Sequence, residues 1–476
     1  MSEPGSTREQ VFIGIAPSMG SRDVTWQGSF RFDPIEGYVG RLLSTEIGVE
    51  SGVHDLIELF DTPSDLDRDL LWCVLDGSQL GTIVWPQFGS LRITPGVSTI
   101  VEARFPTLVH GAHISVDEKS IVKLSLCSPV LAPLFKLEAY NKMAHINPTT
   151  PKLATTFTVT SNRDPLTYSS QTGAITLDIT HRFDTSRWNV SAGLDAEIFL
   201  RVTLSQPRMV TDSVHVLHQI ETLLSLLCFD YIKSTRLELA VMRSAGDRDA
   251  VLPLYRARLV EGGALEINWK KLPLVLRDQN FGEVVDTFIE VHPLIEQTLD
   301  WYRIVLAEPR YVEDKFFYAV RMIEALYKAI DLEHEIDQEA LSFVDRILMK
   351  CKDDACLIRF VNNRIAPMFK KPWSLPQIIR DLRKRYGAMC IIEILDPPMI
   401  NRLRNKEAHG SSKRYTGQEY SFMARTYELL VSVYVLLVLE RCGLSREFLL
   451  HGLKSRHSDW FSETQLKKIR SEIFGA

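Results

Sequence analysis

The stretch Asn401-Arg402-Leu403-Arg404-Asn405-Lys406-Glu407-Ala408-His409-Gly410 decides how the rest of the chain is read. At 3.6 residues per turn Asn405 and His409 share a helix face, whereas Arg404 and His409, five apart, diverge by roughly 140° on an ideal helix. Gly410-Ser411-Ser412 follows at once, and a glycine just past the last helical residue is the usual left-handed stop. The sequence therefore predicts a helix that unwinds at His409 and lets the imidazole swing back toward the guanidinium. Arg404 is always charged and offers forked donors that match phosphate oxygens, while histidine is the side chain that titrates nearest neutrality. A fixed cation, a polar positioning group in Asn405 and a proton carrier in His409 together suit general acid/base catalysis at a phosphodiester.

Spacing alone does not select this site, because Arg446-Glu447-Phe448-Leu449-Leu450-His451 repeats it. There the residue after arginine is a carboxylate, which repels phosphate, and the segment follows Cys442-Gly443-Leu444-Ser445 like the capped start of another helix. That pair reads as structural. Local charge points the same way. The whole chain has a net charge of −5, so any RNA contact is local; between Arg364 and Arg414, twelve Lys/Arg stand against four Asp/Glu. A solvated helix face looks similar, but this run surrounds the motif. Arg402, Lys406, Lys413 and Arg414 are its candidate RNA-binding cations.

Arg404-Asn405-x-x-x-His409, on a helix of a C-terminal helical half and followed by an apolar helix, resembles the HEPN superfamily (higher eukaryotes and prokaryotes nucleotide-binding). The layout of the chain, a β-rich N-terminal half joined to such a domain, looks like ApeA-type anti-phage HEPN proteins of bacteria. The resemblance implies a metal-independent ribonuclease without cofactors, active as a homodimer that brings two motifs together.

The composition is that of an ordinary globular chain, 45% hydrophobic and 24% charged over 476 residues, enough for two or three domains. Seven scattered cysteines form no disulfide framework, Cys351-x4-Cys356 lacks a second ligand pair for zinc, and Met1-Ser2-Glu3-Pro4-Gly5 has no basic and apolar leader. A cytoplasmic location is expected. Short apolar runs punctuated by Gly, Pro and Asp, among them Leu71–Leu75, Gly81–Trp85 and Ile121–Leu126, predict an antiparallel β-rich domain over 1–150. Pro148-Thr149-Thr150-Pro151 marks its end. A second α+β lobe over 151–275 alternates strand-like segments with a helix from Val214 to Leu227. His110-x-x-His113 and His215-x-x-His218 lack a third ligand nearby and read as structural. No phosphate-binding G-x-x-x-x-G-K, G-x-S-x-G elbow or H-x-E signature occurs.

From residue 276 onward the pattern is helical: Glu283–Leu306, Val312–Leu332, Asp337–Cys351, Pro376–Tyr386, Asp396–Ala408 and Glu419–Arg441, with short loops suited to an antiparallel bundle. The fold class expected is thus α+β multidomain, β-rich N-terminal lobes followed by an all-α HEPN-like bundle over 276–476. On Val312–Leu332, Glu324 falls in the stripe Phe316, Phe317, Val320, Ile323, Tyr327, either holding Arg404 or Arg402 or lying at the stripe's edge. The apolar run Leu429–Leu439 between Glu428 and Glu440 is too short to span a bilayer. The residues Phe422, Met423, Tyr427, Leu430, Val433, Tyr434 and Leu437 suit either a two-fold interface or a central bundle helix. The expected partners are RNA, tRNA among the candidates, a second copy of the chain, and a phage-derived trigger at the N-terminal lobes. The competing class is a non-catalytic dimerisation or nucleotide-binding module coupled to a ligand-sensing β domain.

Overall fold

The computed structural model describes most residues from Gln10 to Phe474; residues 1–9, 18–25, 45–69, 147–154, 185–192, 243–249, 257–273, 337–343, 351–357, 362–369 and 409–414, with some shorter loops, lie outside the described residues. The protein is mixed α and β, with antiparallel sheets and a mostly helical C-terminal region. It divides into two compact units, Met1–Ile289 and Glu290–Ala476.

In the first unit the alternating apolar segments become antiparallel strands. Gln10–Phe12, Trp26–Asp33, Gly37–Ser44, Ser98–Phe105 and Gln87–Thr94 form a five-stranded sheet in that spatial order. A ten-stranded sheet contains Ile121–Cys127, flanked by Gly193–Arg208 on one side and Arg236–Val241 on the other, both antiparallel to it. Leu124, Leu126 and Cys127 are buried there, as a central strand requires. Strands from both sides of the Pro148–Pro151 stretch pair within this one sheet, and the boundary between the compact units falls after Ile289 instead of near 150 and 275. His110 closes the strand Thr107–His110, and His113 lies outside the described residues.

The helix Val210–Cys228 packs on Ile121–Cys127, burying Val214, Leu217, Leu224 and Leu227. It stops at Phe229, whose φ of 53° is left-handed, with the Asp230 N–H donating back to the Ser225 carbonyl at 3.1 Å. His215 is exposed and lies 3.1 Å from Gln219 Nε2. The turn Ser170-Gln171-Thr172 is tied to the helix Phe281–Ala307 by Asp286. Its carboxylate accepts from Ser170 Oγ (2.7 Å), Gln171 N (2.6 Å) and Thr172 N and Oγ1 (3.2 and 3.1 Å). A Cβ on Gly282 would stand 2.0 Å from the Ser169 carbonyl oxygen, so glycine sets how closely the helix start can approach that turn.

The second unit is mostly helical, and Val312–Ala329, Leu375–Arg385, Pro397–Ala408 and Gly417–Arg441 follow the sequence pattern closely. Arg446–Arg456 starts after the cap read at Ser445, Glu463–Phe474 is not among the helices the pattern predicts, and the helix expected over Asp337–Cys351 falls largely outside the described residues. The unit is not the all-α bundle expected, because Glu335–Ile336 pairs antiparallel with Lys370–Lys371. Gly417–Arg441 is the central helix. Fourteen of its residues are buried, Leu430, Val433, Tyr434 and Leu436 completely. Tyr434 stacks on Tyr302 at 5.6 Å between centroids and shares a 2.9 Å hydrogen bond with Thr298. Burial of the phenol pushes its pKa well above the usual tyrosine value.

One expectation for this helix needs correction. Its 25 residues are long and apolar enough to cross a membrane by length and composition, so the shorter run Leu429–Leu439 does not settle the matter. Its most apolar window is 78% buried inside the protein, however, as in the core helix of a bundle. Of the two readings of its apolar surface, the central bundle helix is the one that this burial fits: Phe422, Met423, Leu430, Val433, Tyr434 and Leu437 are each 3% exposed or less. Helices of a single chain cover this surface because the second unit surrounds the central helix on several sides.

Candidate active site

The motif helix Pro397–Ala408 starts as its sequence dictates. Asp396 caps it, Oδ2 accepting from the Met399 N–H at 2.9 Å, and Pro397-Pro398 fill the first turn, where a missing N–H costs nothing. Ile400 and Leu403, three residues apart and both completely buried, fix the rotation of the helix. Arg404 and Asn405 follow at the half-buried edge of that face. His409, Lys413 and Arg414 lie outside the described residues.

Arg404 does not point into solvent. Its Nη2 donates to both carboxylate oxygens of Glu324, at 3.3 and 3.2 Å, and its Nη1 donates to Asn405 Oδ1 at 3.1 Å. The Arg404 and Glu324 side chains are 25% and 23% exposed. A guanidinium carries five N–H donors. One Nη1 proton and the Nε proton therefore remain, and Nε is buried with no hydrogen-bond partner among the described residues. Of the two readings of Glu324, the one in which it holds Arg404 is what the geometry contains.

Glu324 is positioned by its own helix, Val312–Ala329. One turn further on, Tyr327 donates to Asp381 Oδ2 at 2.7 Å, and Arg385 Nε donates to the same oxygen at 2.5 Å. Burial, followed by the Asp381 hydrogen bond, raises the Tyr327 pKa far above the ordinary phenol value, so this donor stays protonated. Tyr327 also stacks on Trp373 at 6.1 Å. The rotation of the helix that carries Glu324 is thereby fixed against Leu375–Arg385.

The candidate RNA-binding cations differ in what holds them. Lys406 Nζ lies 3.2 Å from Glu419 Oε2 and 4.1 Å from the centroid of Tyr415, a cation over an aromatic face. Arg402 Nη2 is 3.6 Å from Glu419 Oε1, yet its side chain is 64% exposed. Glu419 is therefore an anchor for the motif helix as well as part of a capping box. Thr416 Oγ1 accepts from Glu419 N at 3.2 Å, and Thr416 N donates to Glu419 Oε2 at 2.9 Å. Tyr415 and Tyr420, the residues before the cap and four beyond it, meet at 5.6 Å as a hydrophobic staple. The reading of the motif missed Glu419, although Thr416-x-x-Glu419 ahead of an apolar run is a legible cap signal.

The backbone N–H of Thr416, followed by Lys406, holds the Glu419 pKa below the usual carboxylate value. A carboxylate depressed in the fold contributes stability above the unfolded pKa and loses it as pH falls through the folded pKa. The contact between the motif helix and the central helix is therefore expected to loosen as pH falls through and below the ordinary carboxylate range. Glu419→Gln removes this acid-sensitive component: the gap in thermal stability between wild type and Glu419→Gln, measured from pH 7 to pH 3, narrows as pH falls.

The repeated spacing at Arg446 has the structural role expected of it. Ser445 caps the helix Arg446–Arg456, its Oγ accepting from Phe448 N at 3.2 Å. Arg446 forks onto Glu440, Nε to Oε1 at 3.0 Å and Nη2 to Oε2 at 3.1 Å, while Tyr386 donates to the same Oε1 at 2.9 Å. His451 is exposed on the next turn.

No family model matches this chain, and comparisons with curated proteins and with solved structures return no match.

Proposed function

We propose that this chain is a HEPN-type endoribonuclease of bacterial anti-phage defence, of the abortive-infection kind, which cleaves RNA without a metal ion. The observation that supports the reading best is the state of Arg404. It is held in place by Glu324 and Asn405, partly withdrawn from water, with one Nη1 proton left over from those hydrogen bonds. A preorganised, partly desolvated guanidinium stabilises charge developing on a phosphorane more than a solvated one, because nothing needs to reorganise during the reaction.

In the proposed reaction the ribose 2′-oxygen attacks the adjacent phosphorus as His409 accepts its proton. The bond from phosphorus to the 5′-oxygen breaks, and that oxygen leaves with a proton from a second imidazole. The products are a 2′,3′-cyclic phosphate and a 5′-hydroxyl. Arg404 meets the equatorial oxygens and Asn405 orients phosphate or imidazole. Acid and base stand on opposite sides of an in-line displacement, so one His409 does not serve both roles economically; a second copy of the chain supplies the other. RNA, tRNA among its forms, is the substrate, a phage-derived component is the trigger at the N-terminal lobes, and the setting is the cytoplasm.

The experiment is cleavage by purified full-length protein in EDTA. Undiminished activity is expected, with a pH–rate limb in the imidazole range; strict dependence on added Mg²⁺ or Mn²⁺ would point to a different, carboxylate-based site. Mixing Arg404→Ala chains with His409→Ala chains tests the shared site. In a mixed dimer one imidazole is missing where the reaction takes two, so the mixture is expected to stay as inactive as the separate variants, and an excess of His409→Ala chains should lower the activity of wild-type chains. A fully active monomer verified by light scattering would refute the dimer.

One observation favours the second reading, a non-catalytic dimerisation or nucleotide-binding module. Glu324 already occupies one edge of the Arg404 fork, which suits a structural ion pair. A protein that binds nucleotides in the Arg404 site yet leaves RNA intact would establish that reading.

A further inference from the structure

We infer that one face of the helix Val312–Ala329 is a track for single-stranded RNA, a proposal that rests on the ribonuclease reading and extends it to the substrate's form. Phe317, Arg321, Glu324 and Lys328 follow one another at spacings of four, three and four. At 100° per residue they fall within an arc of roughly 60° and extend about 16 Å along the axis. Glu324 is the member of this stripe that receives Arg404, so the stripe passes directly by the candidate site.

The chemistry of the stripe matches a single strand. Arg321 and Lys328 are exposed, and neither is paired with a carboxylate among the described residues, in contrast to Arg402, Arg404 and Lys406. The Arg321 guanidinium instead lies over the half-buried Phe317 ring, 5.3 Å from its centroid. An aromatic ring topped by a guanidinium plane is a stacking platform for an unpaired base, and a duplex keeps its bases stacked on one another and out of reach. Lys328, one turn beyond Glu324, is placed to take a phosphate. With Arg404 the stripe presents three cations and one carboxylate, complementary to a polyanion.

The test is fluorescence anisotropy of a labelled single-stranded RNA on full-length His409→Ala protein, which does not consume the probe, with a duplex of the same sequence as competitor. Arg321→Ala is expected to weaken binding about tenfold, the loss of one stacked base. Arg321→Lys keeps the charge and should leave the salt dependence unchanged without restoring affinity. Lys328→Ala should reduce the slope of log K against log salt by about 0.7, one phosphate contact on a single strand. The duplex should compete poorly. Wild-type affinity in both alanine variants, or equal competition by the duplex, overturns the track while wild-type cleavage leaves the ribonuclease reading standing. If wild-type protein neither binds nor cuts RNA, that reading fails and the track with it.

Discussion

Arg404→Ala is expected to lower the rate of RNA cleavage by at least about 10²- to 10³-fold, the usual loss when a preorganised donor to a developing oxyanion is removed. The loss should lie at or beyond the upper end of that range, for a local reason. Glu324 is less than a quarter exposed and loses the cation that accepts its charge, so the substitution both removes attraction for phosphate and leaves a carboxylate facing it. Arg404→Lys should rescue little, because an ammonium cannot serve Glu324 and a phosphate oxygen from one planar fork. The measurement is single-turnover cleavage at saturating protein, with helix content checked by circular dichroism. His451→Ala is the control. Its neighbour Arg446 is committed to Glu440, and the variant should cleave like wild type.

Leu403→Ala should be the most damaging single change on the motif helix that touches no polar group. Leu403 is completely buried beside Arg404, and a leucine truncated in a packed core costs about 2–5 kcal/mol. Two effects follow from one cavity. The helical unit should unfold at lower temperature and denaturant, and the residual native protein should cleave more slowly, since a displacement of the guanidinium by about 1 Å is enough to cost on the order of 10² in rate. Leu403→Met, which conserves volume, should lose less than about 1.5 kcal/mol and keep most activity. Equal stability of wild type and Leu403→Ala would show that the motif helix is not held by its buried face.

What the sequence made legible follows from which interactions are local. Helix bounds were readable because caps and periodicity are local signals. Pro397-Pro398 opens the motif helix, and the stripe predicted over Val312–Leu332 ends only three residues early, at Ala329. Strands in the first unit were readable for the same reason. Their partners were not: Ile121–Cys127 pairs with Gly193–Arg208 and Arg236–Val241 across some seventy to a hundred and twenty residues, and alternation carries no information about partners. A boundary drawn at Pro148–Pro151 therefore cuts through a sheet.

The site divides in the same manner. Arg404 beside Asn405 was visible as adjacent residues. Glu324, eighty positions away, was visible only as an acid in an apolar stripe, and its contact with Arg404 is set by packing of two helices. Charge counting over 364–414 also overstates the positive field. The acids that meet Arg404, Lys406 and Arg402 are Glu324 and Glu419, both outside that window. Arg321 escaped notice because it lies outside the window too, and its partner is the Phe317 ring, not an acid.

The most direct test of the central claim is the chemistry of the cut ends. Purified full-length protein should convert a defined single-stranded RNA, in the presence of EDTA, into fragments bearing 2′,3′-cyclic phosphate and 5′-hydroxyl termini, and His409→Ala should produce none. Fragments ending in a 3′-hydroxyl, or the same products at the same rate from His409→Ala, would contradict attack by the 2′-oxygen at a site built from Arg404, Asn405 and His409.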